Sequence, residues 1–217
     1  MKKVILASAM AISIATSAFA QTSDLVMAQI VPIQTEWARI KYQVSDKDTK
    51  LAAIHVLEDR AAKVSAANPD RAEPKIWEGI VLATDAGIVK GISALGKVNK
   101  AKELFEESIK EDPMALSGSA HASLGSLYYQ VPGWPIAFGD NKEAEVHLKH
   151  ALSMNPTGID PNYFYGDYLI HMDRDAEAKP YLEKALQAPD RPGREVADAG
   201  RRQEIRADLA QIQEKTQ

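Results

Sequence analysis

One short pattern occurs three times in this chain and constrains its fold more than any other feature. It is found in AKELFEESIKEDP (101–113), AEVHLKHALSMNP (144–156) and AKPYLEKALQAPD (178–190). Each segment begins with Ala, has a large apolar residue at its fifth position and a small residue at its eighth. A proline lies at or near the end, where its missing N–H and its ring stop a helix. The pattern predicts repeated helices that approach their neighbours closely through small residues.

A second motif precedes two of these segments and predicts the partner helix of each pair. It reads Leu124-Gly125-x-x-Tyr128 before the second segment and Tyr165-Gly166-x-x-Leu169 before the third. Apolar residues at helical spacing also mark the N-terminal part, where Pro32 is expected to kink or divide a helix. Ser45-x-x-Asp48 is expected to open the next helix as a capping box. No run alternates as strands do, so we predict an all-α solenoid of antiparallel helix pairs.

The last segment of the chain predicts a capping helix. Ile205, Leu209 and Ile212 lie on one face between Glu195 and Lys215, with charged and polar residues around the rest. A stack of repeats needs a terminal helix with one polar face. No change of composition indicates a boundary, so residues 21–217 are expected to form a single domain.

The first twenty residues, MKKVILASAMAISIATSAFA, have the pattern of a cleaved secretory signal. Two lysines precede an apolar run, and Ala-Phe-Ala ends it, so the mature chain is expected to begin at Gln21. No second long apolar run follows, and no membrane span is expected in the exported protein. The sequence has no cysteine, which excludes disulfides, thiolate catalysis and a lipid-modified cysteine.

Charge and composition argue against several function classes. The full chain has a formal net charge of −4, and loss of two lysines with the signal makes it more acidic, which disfavours nucleic-acid binding. His147 and His150 lie three positions apart, but the sequence shows no third metal ligand near them. No nucleophile motif or phosphate-binding glycine loop is present. We therefore expect no catalytic residues, no metal and no cofactor.

The segment QVPGWPIAFGDNKEA (130–144) contains about seven more residues than the matching part of the next repeat. Asp140-x-x-Glu143 at its end is expected to cap the following helix. Two interpretations of Trp134 and Phe138 remain open. Both side chains pack back onto the solenoid, or they line a pocket or contact a partner, as exposed aromatic residues often do.

The three segments and the two motifs before them resemble the tetratricopeptide repeat. The 34-residue spacing from Ala144 to Ala178 is the standard length of that repeat. In such arrays the first helix of each repeat lines the concave face, and the resemblance places nine side chains there: Lys75, Glu78, Asp85, Ser119, Ser126, Tyr129, Tyr163, Asp167 and His171. This mixture suits a polar or peptide ligand better than a bare fatty chain.

A more specific resemblance covers roughly residues 70–205. The segment YYQVPGWPIAFGDNKEAEVHLKHALSMNPTGIDPNYFYGDYL, with IWEGIVLATDAG upstream, is similar to the T component associated with tripartite ATP-independent periplasmic (TRAP) transporters. This resemblance implies a periplasmic helper of organic-acid uptake that partners a solute-binding protein. It also implies self-association, with a trimer as one form, and an apolar ligand channel in each subunit. Members of that family are often lipoproteins, whereas this chain has no cysteine to acylate.

The leading hypothesis is a non-enzymatic periplasmic scaffold that binds a protein partner, such as the solute-binding protein of a TRAP system. The alternative is a protein that binds a small apolar or carboxylate ligand. The candidate binding residues for either partner are Tyr129, Trp134, Phe138, Tyr163, Asp167 and His171.

Overall fold

The computed structural model describes the backbone of residues 6–215 and the side chains of residues 25–215. Residues 1–5 of the predicted signal peptide, and the side chains of its other residues, lie outside this description. The described residues form nine α-helices, with bounds α1 Leu6–Gln43, α2 Lys47–Ala67, α3 Ala72–Val89, α4 Leu95–Glu111, α5 Ser119–Gln130, α6 Asn141–Met154, α7 Ile159–His171, α8 Asp175–Leu186 and α9 Glu195–Lys215. Among those helices, none combines the length and the apolar character needed to cross a membrane.

The helices pack in successive pairs, which confirms the predicted all-α solenoid. The three repeated segments form the second helices α4, α6 and α8, and each packs most closely on the helix before it. The alanines that open the segments are fully buried, as are the small residues seven positions later. An isolated bridge between Gly133 and Gly139 is the only β pairing within residues 6–215.

Each pair is held together by a large side chain that packs against a glycine of the first helix. Leu148 of α6 lies against Gly125, and Leu182 of α8 lies against Gly166. A Cβ atom at either glycine would come within 2.7 Å of the leucine side chain. The repeat therefore requires glycine there, because no larger residue leaves space for the helices to approach this closely.

Two predictions for the N-terminal helices, division at Pro32 and capping by Ser45, are wrong. Helix α1 continues through Pro32 and is not divided, since the fully buried Ile30 and Ile33 fix the helix on both sides of it. Packing here outweighs the hydrogen bond that proline cannot make. Helix α2 is capped by Asp46 and not by Ser45, and the Asp46 side chain accepts a hydrogen bond from the backbone N–H of Thr49 at 2.9 Å.

The predicted capping helix α9 packs on the last repeat and also contacts the first helices of the array. Ile205 and Ile212 are buried against the last repeat, as expected. Ala197 at the other end of α9 is buried in the cluster formed by α1, α2 and α3. The Tyr42 ring of α1 lies directly against Gly200, where there is no room for a Cβ atom. The first and last helices therefore meet, and the concave face of the solenoid encloses a cavity.

Candidate functional site

The segment between α5 and α6, residues 131–140, forms an ordered loop and is called the inserted loop below. Two of its large apolar side chains point to solvent, with Trp134 88% and Ile136 63% exposed. Phe138 does the opposite: it is half-buried, and its ring packs edge-on against Tyr128 at a centroid distance of 5.6 Å. Each of the two interpretations therefore applies to one aromatic residue. Phe138 packs on the solenoid, whereas Trp134 is exposed and available to contact a partner.

Backbone hydrogen bonds and a helix cap hold the inserted loop in one conformation. The N–H of Gly139 donates to the carbonyl of Pro132, and the N–H of Asp140 donates to the carbonyl of Tyr128, both at 2.9 Å. The Asp140 side chain accepts from the N–H groups of Lys142 and Glu143, which confirms the predicted cap of α6. The loop therefore presents Trp134 from a fixed base.

Three of the predicted binding residues form one network beneath the inserted loop. The hydroxyl of the buried Tyr129 donates to Asp167 at 2.5 Å, and the His171 ring lies 5.5 Å from the Tyr129 ring. Burial raises the pKa of Asp167, although the hydrogen bond from Tyr129 opposes this shift. Because Tyr129 is almost fully buried, the network joins α5 to α7 more than it offers a binding surface.

The concave face encloses a cavity of about 790 Å³, which is called the central cavity. Tyr163, Ser119 and Ser126 line it, as the repeat pattern predicts. Aromatic side chains from the N-terminal part of the array, Trp37 and Trp77, form part of the wall, and their rings meet edge-on at 5.7 Å. A cavity of this size and apolar character is typical of small-ligand sites.

Ion pairs connect α9 to the rest of the cavity wall. The buried Arg201 donates to Asp160 at 3.0 Å and to Glu204 at 2.7 Å, and its guanidinium lies 4.1 Å from the centre of the Tyr163 ring. Arg191 donates to the second oxygen of Asp160 at 2.7 Å. These two arginines hold the pKa of Asp160 well below its usual range, although burial opposes them.

Glu204 extends this set of ion pairs to α1, where it binds Lys41 and Tyr42, each at 3.1 Å. Burial, with a smaller effect from the charge of Arg201, lowers the pKa of Lys41 to about 8. A row of alternating charges thus runs across the contact between α9 and α1 and helps to keep the array closed.

The three predicted concave residues of α3 lie elsewhere. Asp85 is fully buried and pairs with Lys97 of α4 and His55 of α2. Lys75 forms its ion pairs with acidic side chains of α4. Glu78 is not among the cavity-lining residues. The prediction is wrong for this repeat, because ion pairs hold Asp85 and Lys75 against the neighbouring helices and away from the cavity.

A histidine cluster joins α5 to α6. His121 lies 2.9 Å from His147, measured between the two Nδ1 atoms, and its ring centroid lies 5.2 Å from that of His150. The sequence did not reveal that His121 lies beside this pair. Still, within the described part of the chain, no group of three or more histidine or acidic residues has the geometry to hold a metal.

Known proteins with a similar sequence or structure contain the tetratricopeptide repeat. Residues 159–190, which include α7 and α8, match the family model described as tetratricopeptide repeat. A thermophilic tetratricopeptide-repeat protein of Thermus thermophilus is 21% identical and has a TM-score of 0.53, with 76% of this chain and 84% of that chain covered. The fold is a tetratricopeptide-repeat solenoid. None of the curated proteins matches this sequence.

The cationic side of this tetratricopeptide-repeat cavity was not apparent from the sequence. Arg191, Arg194 and Arg201 reach the cavity from the segment that joins α8 to α9 and from α9 itself. Their signal is the arginine-rich stretch APDRPGREVADAGRRQ, which looks like an ordinary charged helix face. Only the closure of the array turns these side chains inward.

Proposed function

We propose that this protein is a non-enzymatic interaction scaffold that contacts a protein partner through Trp134. The observation that carries the proposal is a large, exposed aromatic side chain on a loop fixed at both ends. Such a side chain offers a partner much apolar area, and little conformational freedom is lost on binding. The repeat fold supports this role, because its known proteins generally act as scaffolds for other proteins.

The proposed partner is the periplasmic solute-binding protein of a TRAP-type uptake system. Support comes from the signal-like first twenty residues and from the resemblance of residues 70–205 to the T component of these transporters. The inserted loop, with Trp134, lies within the most specific part of that resemblance. The scaffold would then work in the periplasm as an accessory of transport, as a monomer or as the self-associated form that the resemblance implies.

The test is a cross-linked pull-down from an envelope extract of the source cells. Three baits are compared: the wild type, Trp134→Ala, and Ile92→Ala as a control that removes another apolar side chain, 84% exposed, outside the inserted loop. The captured protein is identified by mass spectrometry. Since Trp134 contributes little to the core, we expect an unchanged melting temperature for Trp134→Ala, and a thermal melt checks this first.

A protein captured by the wild type and Ile92→Ala but lost by Trp134→Ala supports the scaffold. Its identification as a solute-binding protein supports the transport role, whereas any other identity removes that role and keeps the scaffold. Equal capture by all three baits shows that Trp134 is not the contact. Capture by none contradicts the scaffold proposal.

A second candidate function, small-molecule binding, is favoured by the central cavity. Its volume of about 790 Å³ and its aromatic wall are typical of sites that hold small organic molecules. Native mass spectrometry of the purified protein tests this function, with a retained small molecule as the expected result.

A further inference from the structure

We propose that the central cavity binds a small organic monocarboxylate, and that Arg194 and the indole N–H of Trp77 hold its carboxylate group. This inference rests on the second candidate function and gives it a ligand class. It is independent of Trp134 and of the inserted loop.

The first observation is a pair of buried donors that lack acceptors. Trp77 is only 4% exposed, and its Nε1 has no hydrogen-bond partner among the described residues. The Nε of Arg194 is likewise buried with no acceptor in the described structure, and its guanidinium lies 5.1 Å from the centre of the Trp77 ring. Buried donors in folded proteins nearly always have an acceptor. Two neighbouring ones without any indicate a missing acceptor group.

The second observation is an excess of positive charge around the cavity. Its described lining includes five basic side chains and two acidic ones, in a protein whose net charge is negative. Both acidic side chains already have basic partners: Asp160 accepts from Arg191 and Arg201, and Glu204 accepts from Arg201 and from Lys41 of α1. Of the three arginines, only Arg194 has no carboxylate partner among the described residues.

The surroundings of Arg194 also disfavour its positive charge. Burial and the neighbouring charge of Arg191 lower the pKa of its guanidinium, and the charges of Asp160 and Asp198 offset this only in part, whereas the pKa values of the other two arginines are raised. A bound carboxylate supplies one negative charge and two acceptor oxygens, which the planar guanidinium is suited to bind. Lys50 is the other lining cation without a carboxylate partner among the described residues, but its ammonium group donates to the backbone carbonyl of Lys41 at 3.2 Å. We therefore assign one carboxylate group to the site, at Arg194.

The rest of the cavity suits the apolar body of such a ligand. Trp37, Ile80, Phe105 and Phe164 line it, together with Leu116 from the turn before α5. The volume of about 790 Å³ accommodates a compact organic acid, and apolar walls that surround a few polar groups are usual in such sites. The ligand class is therefore a carboxylate head on an aliphatic or aromatic body.

The experiment compares two acids with their matched alcohols by isothermal titration calorimetry on the full protein. Decanoate and decanol form the aliphatic pair, and 4-phenylbutyrate and 4-phenylbutanol form the aromatic pair. The variant is Arg194→Gln, and the control is Arg206→Gln, which removes an exposed arginine from α9. We expect at least one acid to bind wild type about tenfold more tightly than its alcohol. Arg194→Gln should abolish that preference, whereas Arg206→Gln should retain it.

Each other result overturns part of the inference. Equal affinity for acid and alcohol in the wild type removes carboxylate recognition and keeps small-molecule binding. No binding of any of the four compounds contradicts both for this class of ligand. An unchanged acid preference in folded Arg194→Gln excludes Arg194. If that variant does not fold, Trp77→Phe gives the same test for the indole N–H, and the wild-type comparison of acid with alcohol still decides the ligand class.

Discussion

At the scale of single residues, the fold depends on a few small side chains as much as on its large ones. Gly79, Gly125 and Gly166 occupy equivalent places in three successive repeats, and each faces the large residue of the next helix. The sequence revealed two of these contacts, because Leu124-Gly125 and Tyr165-Gly166 precede recognisable segments. It also predicted which side chains of the repeats are buried. The sequence could not predict which aromatic side chain of the inserted loop is exposed, since Trp134 and Phe138 have similar apolar character and opposite surroundings.

We predict that Gly166→Ala lowers the free energy of unfolding by about 1–3 kcal/mol, because the added methyl overlaps Leu182. Gly87→Ala in α3 is the control: no atom of the described residues lies within 4 Å of a Cβ there, and we expect stabilisation by about 0.5–1 kcal/mol. Urea denaturation of both variants measures the difference. Equal effects in the two variants would contradict the packing explanation.

At the scale of helices, α5 and α6 are joined by a histidine cluster in addition to apolar packing. His121 is buried between them, and burial, with smaller effects from His147 and His150, lowers its pKa to about 4. In the unfolded chain the same side chain titrates near 6.5. Protonation therefore favours the unfolded state, and the folded state loses stability as the pH falls from about 6.5 toward 4.

We predict that acid destabilises the wild type more than His121→Gln, which has no titratable group at this position. Between pH 7.5 and pH 4.5 the stability of the wild type relative to the variant should fall by about 2 kcal/mol. Urea denaturation at the two pH values measures this change, and acidic or basic groups that do not contact His121 cancel in the comparison. A difference that stays constant with pH would show that His121 titrates normally in the folded protein.

At the scale of the whole molecule, closure of the array determines the character of the cavity. Helix order, pairing and the capping helix could be predicted from the sequence, because they follow from contacts between neighbours in the chain. The contact between α1 and α9 could not, since it joins residues about 160 positions apart through shape and through one row of charges. The cavity and its arginines depend on that contact, so the sequence did not reveal them.

We predict that Gly200→Leu separates α9 from α1, because the new side chain would occupy the position of the Tyr42 ring. The variant should keep its helical content, show a larger radius of gyration in small-angle X-ray scattering and lose the acid preference described above. Ala199→Leu places the same side chain on an exposed position of the same helix and serves as the control. An unchanged radius of gyration in folded Gly200→Leu would show that the ends are not held together at this contact.

Closure also limits how such a protein can change its length. An open solenoid gains or loses a repeat with little effect beyond the neighbouring units, since each contacts only the next. Here an additional helix pair between α8 and α9 would move Glu204 and Gly200 away from Lys41 and Tyr42, and the half-buried charges at that contact would lose their partners. The contact between α1 and α9 therefore fixes the number of repeats in the array. Insertions are tolerated only where they leave this contact intact, as in the inserted loop that carries Trp134.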